Sequence, residues 1–339
     1  MNRHRHIIRL AAWITIPVLL MGASGGIYVV KPTVAGIWYP ADKAQLEAAV
    51  GKCLDEAEGT VPAGRVVACI VPHAPYATFG SVAGAAFKCL KAGHYDRVIV
   101  LAPAHFSSFR GCSIPSAQAW LTPLAATVLD GPAIRALDRS PLIEVRALNY
   151  KGGVDEKGGD RVKLHEQEYC IEAVMPFLQV RLGEFLLIPI VVGEFLDYNK
   201  RFDENGIAAV ATMIKQQLTD RTLLVVSSDF THFGNNFSYR PFRDHILEGI
   251  EALDKEAFRL ILERDYEGYQ TYLEDTKNTI CGKEAIAILL KCLPKDAVGH
   301  LMKYEVSARR TNDTTSSISY ASIVFVTPEQ ASSKGKNAE

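Results

Sequence analysis

The sequence has little net charge and lacks the common motifs for nucleotide binding and hydrolysis. Its 339 residues carry a formal net charge of -1, with an estimated pI of 6.8. No basic field is therefore present to attract a polyphosphate backbone, and nucleic acid is not an expected partner. The patterns G-x-G-x-x-G after a strand, G-x-x-x-x-G-K-[ST] and H-E-x-x-H do not occur, and G-x-S-x-G occurs at residues 22–26 alone, within an apolar N-terminal run and not at the end of a predicted strand. Dinucleotide-binding, nucleotide-binding, zincin and α/β-hydrolase functions thus have no signature here.

Cysteine pairs are lacking as well. The chain has seven cysteines, an odd number, and no C-x-x-C pair. Complete intramolecular pairing is therefore excluded, and at least one thiol is free or engaged elsewhere. Several of the cysteines lie in apolar runs, where a cysteine usually packs as a small core residue. Unpaired thiols are unusual in an exported protein, which conflicts with what the N-terminus predicts.

The N-terminus contains a long charge-free run. Residues 10–30 include no charged side chain, and three arginines precede them. As a helix with a rise of roughly 1.5 Å per residue, the run would span about 30 Å of hydrocarbon. The positive-inside rule keeps the arginine end in the cytoplasm. We therefore expect residues 1–31 to be a membrane anchor, with the domain on the exported (periplasmic or extracellular) side. Small residues near the end of the run alternatively suit a cleaved signal and secretion.

The rest of the chain alternates apolar runs of strand length with segments of helical spacing. Continuous apolar runs are typical of strands buried on both faces. The pattern predicts an α/β domain over residues 32–328, with a mixed or mostly parallel sheet flanked by helices. A polar tail, residues 329–339, is expected to be disordered, and a glycine-rich charged stretch at 150–168 to be a surface loop. The predicted strands are 66–73, 97–105, 185–193, 222–230 and 317–327, and the predicted helices include 80–93, 206–218 and 281–293.

Titratable side chains follow three of the predicted strands. His73 and His105 end the first two, and Asp229 with His232 follows the strand LLVVSS. Ligand sites of parallel α/β sheets gather at the carboxyl edge of the strands, so these side chains could face one crevice. Imidazole is the commonest protein ligand for borderline metals. The pattern favours a metal or acid–base site, and the alternative is a set of ordinary loop or core histidines.

Cys281 and Gly282 open the last predicted helix of that group. A helix N-terminus has unpaired N–H groups and the positive end of the helix dipole, both of which favour the thiolate form of cysteine. Thiolate is the form that binds metal or acts as a nucleophile. The alternative is a cysteine that merely packs near the helix cap.

Taken in order, the motifs resemble those of the MEMO family, which includes protein B of the AmmeMemoRadiSam system. The resemblance extends from about residue 33 to 327. It implies a fold like that of class III extradiol ring-cleaving dioxygenases, with a metal pocket at the strand ends. The matching strings are AGIWYPADKAQLEAAV, VPHAPYATFGSVAGAAF, LAPAHF, TPLAATVLD, IPIVVG, VVSSDFTHFG, NTICG and SSISYAS.

The resemblance also implies the roles of five residues. It places metal ligands at His73, His105 and Cys281, and it places Asp229 and His232 in the same pocket, where we predict that they are catalytic residues with outer-shell or acid–base roles. The expected function is a metal-dependent redox enzyme that uses iron or copper, with zinc as a further candidate. The alternative is a non-enzymatic adaptor that binds a peptide or anion in this pocket. The ligand is an unknown small molecule or peptide, and proteins of a radical-SAM system are the implied partners.

Two departures from the family pattern affect these expectations. Where family members have E-H-S-x-E, this chain has E-Y-C-I-E from Glu168, so Tyr169 and Cys170 replace histidine and serine. A tyrosine ordinarily titrates near pH ~10, so it is a poorer proton donor and acceptor at neutral pH. His165 is a candidate to replace the missing imidazole. Pro75 stands where the family has glycine, which predicts a stiffer loop after the first histidine.

Overall fold

The computed structural model of the protein describes residues 28–146, 164–196 and 201–328. These residues form an α/β fold in which mixed sheets are flanked by helices. The strands are β1 (Val29–Val30), β2 (Arg65–Val71), β3 (Arg97–Pro103), β4 (Cys112–Ser113), β5 (Ala119–Leu121), β6 (Ala126–Val128), β7 (Ile143–Glu144), β8 (Leu186–Val192), β9 (Thr222–Ser227), β10 (His232–Gly234), β11 (Val298–Val306) and β12 (Ser316–Thr327). The helices are α1 (Lys43–Asp55), α2 (Tyr76–Phe87), α3 (Gly131–Leu137), α4 (Tyr169–Glu172), α5 (Met175–Leu182), α6 (Glu204–Lys215), α7 (Ile246–Glu263), α8 (Tyr266–Thr276), α9 (Lys283–Cys292) and α10 (Ser307–Thr311).

The large sheet has a parallel centre and antiparallel flanks. Its strand order is β10-β12-β2-β9-β3-β8-β4-β7, and β11 also pairs with β12. Strands β2, β9, β3 and β8 run parallel to one another. Strand β12 is antiparallel to β2, and β4 is antiparallel to β8. The predicted α/β fold with a mixed or mostly parallel sheet is therefore confirmed.

The apolar runs of the sequence form the buried centre of this sheet. In β3, the five consecutive residues from Val98 to Ala102 are all fully buried. Successive side chains of a strand point to opposite faces, so such burial requires that both faces are covered. Helix α2 packs on β2, β11 and β12, and α9 packs on β3 and β9. All five predicted strands are present, with ends that differ by a few residues from the prediction.

The helices also follow the prediction, with changes at their N-termini. Pro75 precedes α2, which starts at Tyr76 rather than at Gly80. Proline fixes φ near about -65° and lacks the N–H that a first helical turn leaves unpaired, so it suits this position. Helix α9 starts at Lys283, two residues later than predicted. The site cysteine therefore lies in the loop before the helix, not in its first turn.

The predicted N-terminal membrane segment is corrected by the structure. Among the described residues, no helix is long and apolar enough to span a membrane. The charge-free run ends instead in strand β1, which pairs with β5 in a three-stranded sheet of order β1-β5-β6. Val30 is fully buried in the core. The hydropathy of the run did not distinguish a membrane helix from a run that includes a buried strand. The predicted anchor, and the exported location inferred from it, are thus not supported.

Three of the predicted segments lie mainly outside the described residues. They are residues 1–27 of the predicted anchor, residues 147–163 around the predicted surface loop, and the tail at 329–339. The end of the predicted loop is described, and it is not exposed. Leu164–Glu166 forms a 3₁₀ turn in which Leu164 and His165 are buried. The boundaries of the predicted domain, residues 32–328, stay a prediction.

Candidate metal centre

The order of the central strands brings the predicted site residues to one edge. His73 and His105 each lie two residues beyond the end of a parallel strand, β2 and β3 respectively. Strand β9 lies between these two strands, and Asp229 lies two residues beyond its end. Parallel strands end at the same edge of a sheet. The two histidines therefore approach each other across the end of β9, as the strand-edge interpretation predicts.

These residues line a cavity of about 450 Å³. Its polar part contains the five predicted site residues and Thr279, and the rest of its wall is largely aromatic or apolar. Among the described residues, none of those that line it is lysine or arginine. The described residues that line it are Trp38, His73, Ala74, Pro75, His105, Tyr169, Asp229, His232, Phe237, Thr279, Cys281, Ile318 and Tyr320.

The three predicted metal ligands lie together in this cavity. One ligand atom each from His73, His105 and Cys281 falls within 4.8 Å of the other two. Nε2 of His73 is 3.5 Å from the Cys281 sulfur, and the two imidazole rings meet edge to face with centroids 5.3 Å apart. Such separations suit donors of one ion, since metal–sulfur and metal–nitrogen bonds are about 2.0 to 2.3 Å long. Their role as ligands remains a prediction.

The hydrogen bonds of His73 define which of its nitrogens is available. Its Nδ1 is 2.9 Å from the hydroxyl oxygen of Ser227. That hydroxyl donates its own proton to the carbonyl of Cys170, so it must accept the proton of Nδ1. Nε2 of the neutral ring is therefore the unprotonated nitrogen. Burial, reinforced by the neighbouring histidines, lowers the pKa of His73 well below its usual value, which keeps the ring neutral.

His105 has a different environment. Its main-chain N–H donates to Glu168 Oε1 at 2.6 Å, and its Nδ1 is 3.1 Å from the sulfur of Cys170. Burial lowers the pKa of its imidazole, but Cys170, Cys281 and Glu168 outweigh burial, so the pKa is raised overall. The Tyr169 ring stacks on His105 with centroids 5.4 Å apart and planes 9° apart. The side chain is 26% exposed, on the cavity side.

Main-chain groups hold the sulfur of Cys281. The N–H of Asp229 donates to this sulfur at 3.1 Å. The hydrogen bond therefore comes from the loop after β9, whereas the sequence suggested the N-terminus of the helix. The N–H of Gly282 donates to the Ser228 hydroxyl at 3.0 Å. A Cβ at position 282 would lie 2.6 Å from the Cβ of Ser228. Glycine is therefore required for the two loops to approach closely enough.

The two predicted catalytic residues lie at the edge of the same cavity. Asp229 Oδ1 accepts the main-chain N–H of His73 at 3.1 Å, and burial raises the pKa of this carboxyl group to about 7. Nδ1 of His232 lies 2.8 Å and 3.0 Å from the carbonyl oxygens of Phe230 and Thr279. Carbonyls only accept, so Nδ1 carries the proton and Nε2 is the free acceptor. Burial lowers the pKa of His232.

A buried polar network fixes the loop after β9 against the loop before α9. Asp254, which is fully buried, accepts hydrogen bonds from the N–H and the hydroxyl of Thr231. The Asn278 side chain donates to the same hydroxyl at 2.9 Å. The hydroxyl of Thr279 accepts from His232 N–H and donates to His232 carbonyl oxygen, at 2.9 Å and 2.8 Å. These bonds set the position of the thiol relative to the strand ends.

The two departures from the family pattern have different consequences. Tyr169 lines the cavity, so it occupies the place where the resemblance expected an imidazole. His165 does not replace it: this residue is buried against Trp120, with ring centroids 6.2 Å apart, and it is not part of the cavity wall. Its suggested role is wrong. Pro75 lines the cavity beside His73, whose position is retained.

Several cavity residues were not predicted as functional. Trp38 comes from the N-terminal segment, Thr279 from the loop before α9, and Ile318 and Tyr320 from β12. All four lie within strings that carried the family resemblance, which was the available signal. No periodicity or spacing marks them, because their proximity depends on pairing between distant segments.

Comparison with known proteins identifies the family. The model of the Memo-like protein family matches residues 31–324. The memo-1 homolog of Caenorhabditis elegans is 30% identical over 309 residues, covering 87% of this chain and 82% of that protein. Human MEMO1 is 29% identical over 301 residues, covering 85% and 94% respectively. An uncharacterised protein from Escherichia coli K12 aligns in three dimensions with a TM-score of 0.43 and 11% identity, over 77% of this chain and 99% of that one. The match to the family model, together with these curated relatives, means that this chain belongs to the Memo-like protein family.

Proposed function

We propose that this protein is a metal-dependent redox enzyme in which His73, His105 and Cys281 hold an iron or copper ion. The observation that carries the proposal is the convergence of two imidazoles and one thiol, from three separate strand ends and loops, within 4.8 Å at the floor of a cavity. Side chains that merely pack would not need to direct three donor atoms of this kind towards one point.

The protonation state of His73 and the position of the Cys281 sulfur fit such an ion. His73 is neutral and has its unprotonated Nε2 beside the sulfur, as a metal ligand requires. The Asp229 N–H donates to that sulfur and holds it beside the ring. A thiolate with two imidazoles suits copper(I), iron or zinc better than magnesium or calcium. When bound, iron or copper would supply electron transfer and an open coordination position for a substrate.

The surrounding residues perform the proton chemistry and the positioning. His232 accepts a proton at Nε2, because its Nδ1 is committed to two carbonyl oxygens. Asp229 fixes the main chain of His73 through Oδ1 and thereby orients the ligand ring. Trp38, Tyr169 and the other apolar wall residues exclude water and orient a small organic molecule above the floor.

The alternative, an adaptor that captures an anion, has less support. A site for phosphate or carboxylate usually presents arginine, lysine or several unpaired N–H groups. No lysine or arginine of the described ranges lines this cavity, and two of its three histidines have lowered pKa values and are neutral. A buried carboxyl group, Asp229, further disfavours an anion. The cavity is better suited to a metal and an uncharged or weakly polar ligand.

Metal analysis of the purified full-length protein tests the proposal. Iron or copper should co-purify, and Cys281→Ser should lower the affinity for that metal by more than about 100-fold, because a ligand contributes more than an outer-shell partner does. Cys292→Ser is the matched control, since the Cys292 thiol is buried against the carbonyl of Ala211, and it should retain wild-type affinity. Equal affinity in the two variants contradicts the ligand set. Exclusive binding of zinc under metal-replete growth contradicts the redox function.

A further inference from the structure

A second group of possible metal ligands lies on the Nδ1 side of His105. Nδ1 is 3.1 Å from the sulfur of Cys170 and 3.6 Å from Oε2 of Glu168. One ligand atom from each of the three residues lies within 4.8 Å of the other two. Both Glu168 and Cys170 are buried behind the cavity floor and do not line the cavity itself. This group is therefore distinct from the set of His73 and Cys281.

We propose that His105, Glu168 and Cys170 form a second metal site, which takes a divalent borderline ion such as zinc. The second ion is bound by Nδ1 of His105. When the first site is also filled, the ring loses its remaining proton to solvent, and Nε2 of the resulting imidazolate binds the ion of the first site. The proposal does not depend on the metal or the redox activity of the first site, because only one residue is common to both.

The carboxylate of Glu168 is prepared for a ligand. Oε1 accepts two main-chain N–H groups, from His105 at 2.6 Å and from Phe106 at 2.9 Å. Oε2 has no hydrogen-bond partner among the described residues, although the residue is only 1% exposed. Oε2 lies 3.6 Å from its polar neighbour His105 Nδ1, and a buried carboxylate oxygen that makes no hydrogen bond is costly. The two main-chain bonds fix the carboxylate so that this oxygen faces the imidazole, and a bound cation would satisfy it.

The charges of the group favour a divalent ion. A thiolate and a carboxylate together carry two negative charges. The His105 ring adds none when this site alone is filled, and one more as an imidazolate when its Nε2 also binds the ion of the first site. A divalent cation is therefore neutralised within the site, which is the condition for burying charge at low cost. The first site, formed by His73, His105 and Cys281, has a thiolate but no carboxylate among its ligands, so its net charge differs. The two sites are consequently expected to differ in metal preference, with zinc favoured at Cys170.

Metal uptake at this site would replace a proton. The contact of 3.1 Å between Cys170 and His105 is a hydrogen bond, and a metal ion takes its place when the thiol proton leaves to solvent. Bonds of about 2.0 to 2.3 Å around a tetrahedral ion separate nitrogen and sulfur by roughly 3.5 Å. The two atoms thus need to move apart by a few tenths of an ångström. The ion reaches the site from the cavity, because His105 lines both.

Cobalt(II) and zinc binding to the full-length protein tests the second site. Wild type should bind two ions, and Cys281→Ser should keep one ion with a sulfur-to-cobalt charge-transfer band. Adding Cys170→Ser to that variant should abolish both the ion and the band, whereas adding Cys292→Ser should leave them intact. Serine is the residue that the family motif has at position 170, so the fold should tolerate it. X-ray absorption of zinc-loaded Cys281→Ser should show one sulfur ligand at about 2.3 Å.

The results separate this proposal from the proposed function. If Cys281→Ser binds no ion, or binds zinc with nitrogen and oxygen ligands alone, the second site is overturned while the first site stands. A band that persists after Cys170→Ser is added overturns it as well. In contrast, Cys170→Ser alone should retain the ion of the first site. Cys281→Ser should lose the ion of the first site, and this loss tests the first site only. The ion that remains in Cys281→Ser tests the second site, so either proposal can fail without the other.

Discussion

Glu168 and Glu172 lie four residues apart and are both only 1% exposed, yet their carboxylates are used differently. Glu172 accepts hydrogen bonds at both oxygens: Oε2 from the N–H and hydroxyl of Thr33, and Oε1 from the N–H of Val34 and the hydroxyl of Tyr39. Glu168 uses Oε1 for two main-chain N–H groups and leaves Oε2 without a hydrogen-bond partner among the described residues.

This difference separates structural from functional buried groups. A carboxylate with four hydrogen bonds has little capacity left for a ligand, so Glu172 ties the N-terminal segment to α4 and thereby holds Trp38 in the cavity wall. A carboxylate with one unpaired oxygen retains that capacity. Glu168 retains it directly beside the imidazole of His105. The hydrogen-bond balance of a buried group therefore indicates its role better than its burial does.

The largest effect is expected for removal of the structural carboxylate. Glu172→Ala leaves four donors without their acceptor, and hydrogen bonds to a charged group contribute about 1.5 to 3 kcal/mol each, with strong non-additivity. We expect the free energy of unfolding to fall by about 3 to 5 kcal/mol, as measured by urea denaturation. Glu168→Gln, which retains an acceptor for the two main-chain N–H groups, should change it by less than about 1 kcal/mol. Equal losses in the two variants would remove the distinction.

His165 extends the comparison to a buried imidazole that lacks hydrogen-bond partners among the described residues. Burial lowers its pKa to about 4, so the unfolded chain binds this proton more readily than the folded chain. Above about pH 6.5 His165 is neutral in both states, and the free energy of unfolding has its full value. As the pH falls towards 4, the unfolded chain takes up the proton first, and the free energy of unfolding decreases. Relative to His165→Leu, wild type should lose about 3 kcal/mol over this range. Parallel curves of unfolding free energy against pH for the two proteins would contradict this assignment.

Asp229 resembles Glu168, because one of its oxygens has a main-chain donor and the other faces an imidazole. Oδ1 accepts the His73 N–H, and Oδ2 is 3.7 Å from Nε2 of His73. An asparagine can keep the main-chain bond but not the charge. Asp229→Asn should therefore leave the melting temperature nearly unchanged and weaken metal affinity by about 10- to 100-fold, as for other outer-shell partners. A less stable variant with unchanged metal affinity would make Asp229 a loop-capping residue only.

The sequence predicted the scaffold of the site better than its surroundings. His73, His105, Asp229 and His232 were predicted from strand ends, because apolar runs locate parallel strands and their carboxyl edge locates ligand sites. The roles of Glu168 and Glu172 could not be derived in this way. Each depends on contacts with segments more than sixty residues away, which no local pattern encodes. The N-terminal prediction was wrong for a related reason: hydropathy does not reveal that Val29–Val30 has a strand partner in β5.

The smallest effect is expected at Tyr169, whose ring and hydroxyl make unequal contributions. The ring stacks on His105 and lies 4.3 Å from the ring of Trp38, whereas the hydroxyl makes no hydrogen bond with a described residue. Tyr169→Phe should therefore change the free energy of unfolding by less than about 0.5 kcal/mol and leave metal affinity unaltered. Tyr169→Ala removes the stacking on His105 and the tilted contact with Trp38, and each aromatic pair contributes about 0.5 to 1.5 kcal/mol to stability. Calorimetry and metal titration of both variants provide the measurement. A tenfold loss of metal affinity in Tyr169→Phe would mean that the hydroxyl contributes to metal binding, as is proposed for the carboxylates of Glu168 and Asp229.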